Sequence, residues 1–211
     1  MNNQVAEDWY KDPSLAGKSA FNILNDLSIG SYGGNAKLRA WDHYDTVDLV
    51  TGKLEYPMFT ESIGSPNKSI SSTNNAEGSK IPTATHYTFD AIECSYVPAT
   101  SKSIAEKQVL DLFLNDFIAE LIILNQSPEH QFPLANILGN NFPINVDGGA
   151  VGDQMTSRNC VKGIREMLEV PIILAAQVNY DFALRSSSPT DASLAGDKIR
   201  ITYKGYKLSA N

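Results

Sequence analysis

From Val178 to Arg185 the chain alternates: Val178, Tyr180, Phe182 and Leu184 fall on one parity, Gln177, Asn179, Asp181 and Arg185 on the other. A period of two puts successive side chains on opposite faces, which predicts a strand with one buried and one wetted face. The pattern recurs near the C-terminus, with Ile199, Ile201 and Tyr203 set against Arg200, Thr202 and Lys204. After Gly205 the apolar parity passes to Tyr206 and Leu208, and a glycine at such a switch predicts a bulge. The polar link between them, Ser186 to Asp197, has turn chemistry that brings these two strands close together. Tyr87, Phe89 and Ala91 share one parity and Ile92, Cys94 and Tyr96 the other, so a further strand bends at mid-length. Val47–Val50 and Leu54–Phe59 flank Thr51-Gly52-Lys53, which predicts a short hairpin with Pro57 holding its second arm at an edge. Lys37–Trp41, Phe117–Asn125, Phe142–Val146 and Ile172–Ala175 complete a set of about eight strands.

Helices are few. Ser103-Ile-Ala-Glu106 has the spacing of a capping box, and Val109, Leu112 and Phe113 follow at a helical period, predicting a helix over 104–115. Val161, Ile164 and Leu168 predict a second helix over 161–169, ended by Pro171. A third is expected over 14–27, presenting Phe21, Leu24 and Leu27, although Gly17 weakens it. Between Thr60 and Thr85, fifteen of 26 residues are Ser, Thr, Asn or Gly, too polar to build a core, so this stretch reads as a loop exposed on one rim. Asp147 to Asn159 reads as a second irregular, sharply turning segment.

These elements give an all-β fold class with a few short helices, organised as an antiparallel eight-stranded sandwich. With long excursions between its strands, it fits a jelly roll better than a short-looped barrel. A chain of 211 residues with 42% hydrophobic residues supports one core. Residues 1–30 form an N-terminal arm or short helix, and 31–211 form the single sandwich domain.

Charge narrows the partners. The net charge is -7 and the 17 Lys and Arg are scattered, which disfavours a direct grip on nucleic acid or an anionic membrane. No apolar run reaches the roughly 18 residues of a membrane span, and Glu7 and Asp8 stand where a signal peptide is basic and then apolar. Synthesis in a cytoplasm is therefore expected. Cys94 and Cys160 read as buried thiols rather than a disulfide framework.

Each candidate catalytic or ligand motif fails on spacing. Gly148, Gly149 and Gly152 lack the following helix and Lys-Ser/Thr pair of a phosphate loop. Asp147 and Asp153 lack the alternating acids of a calcium loop, and His43, His86 and His130 are isolated from one another. Asp42-His43-Tyr44-Asp45 reads as a solvated strand end, because consecutive strand residues point to opposite faces. No G-x-S-x-G motif is present and Cys160 has no protease-like surroundings. The expectation is a non-enzyme with no catalytic, cofactor or metal residues. Trp9, Tyr10, Trp41, Tyr44, Tyr56 and Tyr87 could supply a sugar-stacking platform, though strand parity assigns several of them to the core. Trp9 and Tyr10 lie in a polar N-terminal segment without a core of its own and read, with Phe21 and Leu24, as anchors on a neighbouring subunit.

The order of features resembles that of jelly-roll structural proteins of bacterial viruses. The residues that carry it are Phe59-Thr60-Glu61, the loop with Thr73-Asn74-Asn75, the Ile81-Pro82 step and Tyr87-Thr-Phe-Asp-Ala-Ile92. In the second half they are Ala119–Asn125, Phe132-Pro133-Leu134, Pro171–Tyr180 and Ile199–Gly205. The resemblance covers about Trp41 to Leu208 and implies a capsid or other virion protein that packs against copies of itself and other virion proteins as a homo-oligomer. It implies no catalytic residues and no cofactor, with the virion as the final location after synthesis in the host cytoplasm. The alternative is a carbohydrate-binding or receptor-binding sandwich using exposed aromatic rings.

Overall fold

The computed structural model describes residues 18–32, 35–100, 102–123, 130–138, 146–147, 154–155, 161–162 and 166–210. Helix α1 (Ala20–Tyr32) precedes strands β1 (Ala36–Asp48), β2 (Glu55–Met58), β3 (Thr85–Val97) and β4 (Lys102–Ser103). Helix α2 (Ile104–Asp116) leads directly into β5 (Phe117–Ile123), and β6 (His130–Pro133) is followed by the short α3 (Leu134–Leu138). Then come the two-residue strands β7 (Val146–Asp147), β8 (Gln154–Met155) and β9 (Val161–Lys162), and the long β10 (Glu166–Leu174), β11 (Tyr180–Ser186) and β12 (Lys198–Ala210).

The protein is mostly β. One antiparallel sheet runs β1-β12-β3-β10, with β9 also pairing β3, and a second runs β2-β11-β5-β6. A small third sheet joins β4, β8 and β7. The two main sheets meet through aromatic side chains: Phe182 of the second sheet stands edge-on to Tyr203 of the first, 5.8 Å between ring centroids. Phe89, Tyr203 and Phe182 are all buried in one continuous core cluster.

The chain crosses between sheets along paired segments. Gly52, at φ +78° in the turn after β1, donates to Thr190 O, and Ser186 N donates to Leu54 O, so the β1–β2 corner runs beside the β11–β12 corner. The same happens at the next corner, where Ile81 N donates to Val178 O and Tyr180 N to Ser79 O.

Two sequence features are explained by registration. Opposite Lys204 and Gly205 the β3 register skips from Ala91 to Phe89, leaving Asp90 as the extra residue. This bulge is the reason the inward parity of β3 changes from Tyr87 and Phe89 to Ile92, Cys94 and Tyr96. The irregularity falls at Gly205 as the sequence suggests, but the inserted residue lies in the partner strand, and β12 pairs with β1 without a break. Leu208 is buried on the opposite face from Tyr203, on the side where Phe21 of α1 packs edge-on against Tyr206. Gly205 itself is required by proximity: a Cβ there would lie 2.1 Å from Thr88 O.

Other expectations need correction. The hairpin about Gly52 does not form, since β1 and β2 belong to different sheets; Pro57 does sit on an edge strand. Where it is described, the span expected to be a helix over 161–169 is strand: Val161 and Lys162 pair with Tyr96 and Ser95, and Glu166 and Met167 pair with Ile92 and Ala91. Non-local pairing overrides the helical period there. Of the helix expected over 14–27, residues 14–17 lie outside the described residues; the described helix runs from Ala20 to Tyr32, with Ala20, Ile23 and Leu24 buried. Of the strand expected over 142–146 only Val146 is described, and most of the turning segment 147–159, with its glycines and Asp153, lies outside the described residues, as does Cys160.

Candidate functional site

Asp42–Asp45 is not a solvated strand end. Alternation along β1 turns Asp42 and Tyr44 outward but sends His43 and Asp45 into the sandwich, where they are 1% and 0% exposed. His43 stacks on Phe59 at 4.7 Å and Tyr87 at 5.1 Å between ring centroids. Its Nε2 lies 3.0 Å from Tyr180 Oη. The Tyr180 hydroxyl donates to Asn75 Oδ1 at 3.3 Å, which leaves the imidazole proton on Nε2. Burial holds His43 neutral by pushing its pKa down to about 3.

Asp45 is the other half of this centre. Its carboxylate accepts the Phe59 N–H at 2.7 Å and the Lys68 ammonium at 2.7 Å, and Lys68 reaches Thr46 O as well. Phe59 has φ +59°, a left-handed conformation unusual for a bulky residue, and the Asp45 bond fixes it. Asn75 donates to Phe59 O at 2.6 Å, and Ser79 N donates to the same carbonyl. Asn74 exchanges hydrogen bonds with Tyr44, accepting from its N–H through Oδ1 and donating from its own N–H to its carbonyl, and gives a third from Nδ2 to Asp42 O. The polar stretch after Phe59 is thus a largely exposed loop, as expected, but one tied along the outer edge of β1, with Thr73 and Asn75 buried.

A second buried polar centre closes the far end of the same sheet. Lys102 and Asp197 pair at 2.7 Å with side chains 5% and 0% exposed. Asp197 also accepts the Tyr96 hydroxyl and the Ala99 N–H, and Lys102 donates to Ser193 O. Burial, reinforced by the bond to Asp197 and its charge, pushes the Tyr96 phenol far above its ordinary value. Both carboxylate oxygens of Asp197 are bonded and the ammonium has two oxygen partners, the kind of arrangement that lets a buried ion pair persist. Both centres are closed to solvent and act on the fold.

His86 lies apart from His43, beneath α1: its Nε2 is 2.8 Å from the Tyr32 hydroxyl and its Nδ1 accepts the Ala176 N–H at 3.2 Å. Burial lowers its pKa to about 4. Among the described residues no three His, Cys, Asp or Glu side chains converge on a common point. No family model matches the sequence, and no curated protein matches it. No described helix is long and apolar enough to cross a membrane.

The surface carries the remaining candidates. Of the four anchors named from sequence, Leu24 is fully buried within its own chain and Phe21 is 44% exposed beside Tyr206; Trp9 and Tyr10 lie outside the described residues. Tyr56 and Tyr87 belong to the core, while Trp41 lies under Arg39 and Lys207 and Tyr44 under Arg200. Exposed apolar side chains stand in separate places: Phe21 and Ile29 on α1, Val50 and Leu54 at the first corner, Ile70 on the long loop and Leu112 on α2. Leu112 borders a surface cleft of about 560 Å³ between α2 and Ser188-Pro189. Sequence reading missed the Asp45–Lys68 pair, although Trp41, His43, Asp45 and Val47 share a parity that already puts two polar groups inside.

Proposed function

We propose that the chain is a jelly-roll capsid subunit of a bacterial virus, which works by self-assembly into a virion shell. The observation that carries the reading is the nesting of its strand pairs. Taking the eight strands of the two sheet paths in chain order, first pairs with last (β1–β12), second with seventh (β2–β11), third with sixth (β3–β10) and fourth with fifth (β5–β6). A single antiparallel ribbon, closed at β5–β6 and wound around the core, would yield this order, and such a winding supports the jelly-roll reading. The hydrogen bonds at the corners support it, because the two arms of the ribbon stay bonded as they pass from sheet to sheet.

Jelly rolls also serve other functions, so assembly is argued from the surface. Apolar side chains on α1, at the β1–β2 corner and on α2 point away from the core in several directions, as a subunit with more than one neighbour needs. Each contact is modest, and closed symmetry makes a shell of weak contacts stable. Electron microscopy of the purified full chain tests the proposal. Closed shells or rings of uniform diameter are expected, and Leu112→Asp and Ile29→Asp should reduce them without lowering the melting temperature. Uniformly single-chain particles at every concentration would overturn it.

A further inference from the structure

The outer edge of β1 is covered over only half its length. Tyr44 directs both its N–H and its C=O to Asn74, and the Asp42 and Thr46 carbonyls accept from Asn74 and Lys68, so the even-numbered residues face away from β12. Pairing of β1 with β12 is unbroken from Ala36 to Asp48, so the N–H and C=O of Leu38 and Ala40 also point outward. Neither meets a partner among the described residues. An unpaired edge is a template for another strand.

The side chains beside this open edge have one sign. Arg39 and Lys207 are direct cross-strand neighbours, and Lys37 shares their face. Both Arg39 and Lys207 lie over the Trp41 ring, and among the described residues neither has a carboxylate partner. Like charges directly opposite one another are destabilising. Burial, and then the charge of Arg39, lowers the Lys207 pKa.

We propose that this open edge, residues 36–41, is a strand-addition site for the acidic N-terminal segment Glu7–Asp12 of this chain. Extended, the segment alternates as the edge demands. Asp8, Tyr10 and Asp12 share one face and meet Lys37, Arg39 and Lys207, while Glu7, Trp9 and Lys11 share the other with Leu38 and Ala40. Pro13 then ends the added strand. The point of departure fits: Phe21 of α1 packs on Tyr206, which is directly opposite Ala40. The eight residues from Tyr10 to Lys18 span up to about 26 Å, enough to cross β1. The segment can come from the same chain or from a neighbouring copy, and in the first case the site stands independently of the assembly reading.

Hydrogen–deuterium exchange on the full chain tests the site, with the Tyr203 amide in the sheet interior as the measure of intact folding. The Leu38 and Ala40 amides are expected to exchange at least tenfold more slowly than in an R39E/K207E variant and in a D8K/D12K variant. Combining the four substitutions should restore much of the protection. Protection that does not change with protein concentration assigns the segment to its own chain, and protection that rises with concentration and particle mass assigns it to a neighbour. Leu38 and Ala40 amides that exchange as fast as an open chain would overturn the proposal, as would protection that D8K/D12K leaves intact.

Discussion

His43 shows how a titratable group can be used as an aromatic one. It fills a slot between Phe59, Tyr87 and Phe89, and desolvation keeps it neutral down to about pH 3. In the unfolded chain its pKa is about 6.5, so between these values the unfolded state binds the extra proton. The stabilising contribution is therefore complete above about pH 6.5 and is lost progressively as pH falls toward 3. His86, lowered to about 4, adds to the slope in the same direction. Urea titrations of the wild type should show a loss of several kcal/mol between pH 6.5 and 4, at up to about 1.4 kcal/mol per pH unit for each histidine. His43→Phe should flatten that slope, and an unchanged slope would contradict the burial account. Lys68→Met should cost about 3–5 kcal/mol at neutral pH, because it strands the fully buried Asp45 carboxylate. The alternation of residues 41–47 exposes this centre to sequence reading only if polar residues are allowed inward; the partner Lys68, 23 positions along, is fixed by the loop path and leaves no local trace.

At the scale of elements, local chemistry and long-range pairing divide the outcome. Helix α2 was legible because its signal is local: Ser103 accepts the Glu106 N–H and Glu106 accepts the Ser103 N–H, completing the capping box. Ser103→Ala should cost about 1 kcal/mol, readable as a shift in the urea midpoint. The strands at 87–96, 180–186 and 199–208 were legible from alternation. The strands at 161–162 and 166–169 were not, because the apolar spacing there suits a helix while β3 supplies the pairing that makes them strand. The bulge at Asp90 was seen only as a change of parity, since the strand that carries the extra residue depends on its partner. Gly205→Ala should destabilise by roughly 1–3 kcal/mol or more through the clash with Thr88 O, measured by thermal melting.

For the whole molecule, the sequence conveyed a mostly-β fold, but not which strands share a sheet. The β1–β2 corner illustrates why: a turn at Gly52 suits a hairpin, yet its hydrogen bonds go to the Ser186–Thr190 segment, more than a hundred residues away. The sheet order is a property of such distant pairs. The same holds for α1, whose residues 20–30 pack on the sandwich, so a truncation aimed at a detachable arm should stop at residue 17. Removing residues 1–17 is expected to weaken assembly and leave the melting temperature within a few degrees of the full chain. The most direct test of the assembly claim is the mass of the full chain in solution, measured by sedimentation over a hundredfold range of concentration. Discrete closed oligomers or shells, growing with concentration, are predicted; a single-chain mass throughout that range would contradict the account.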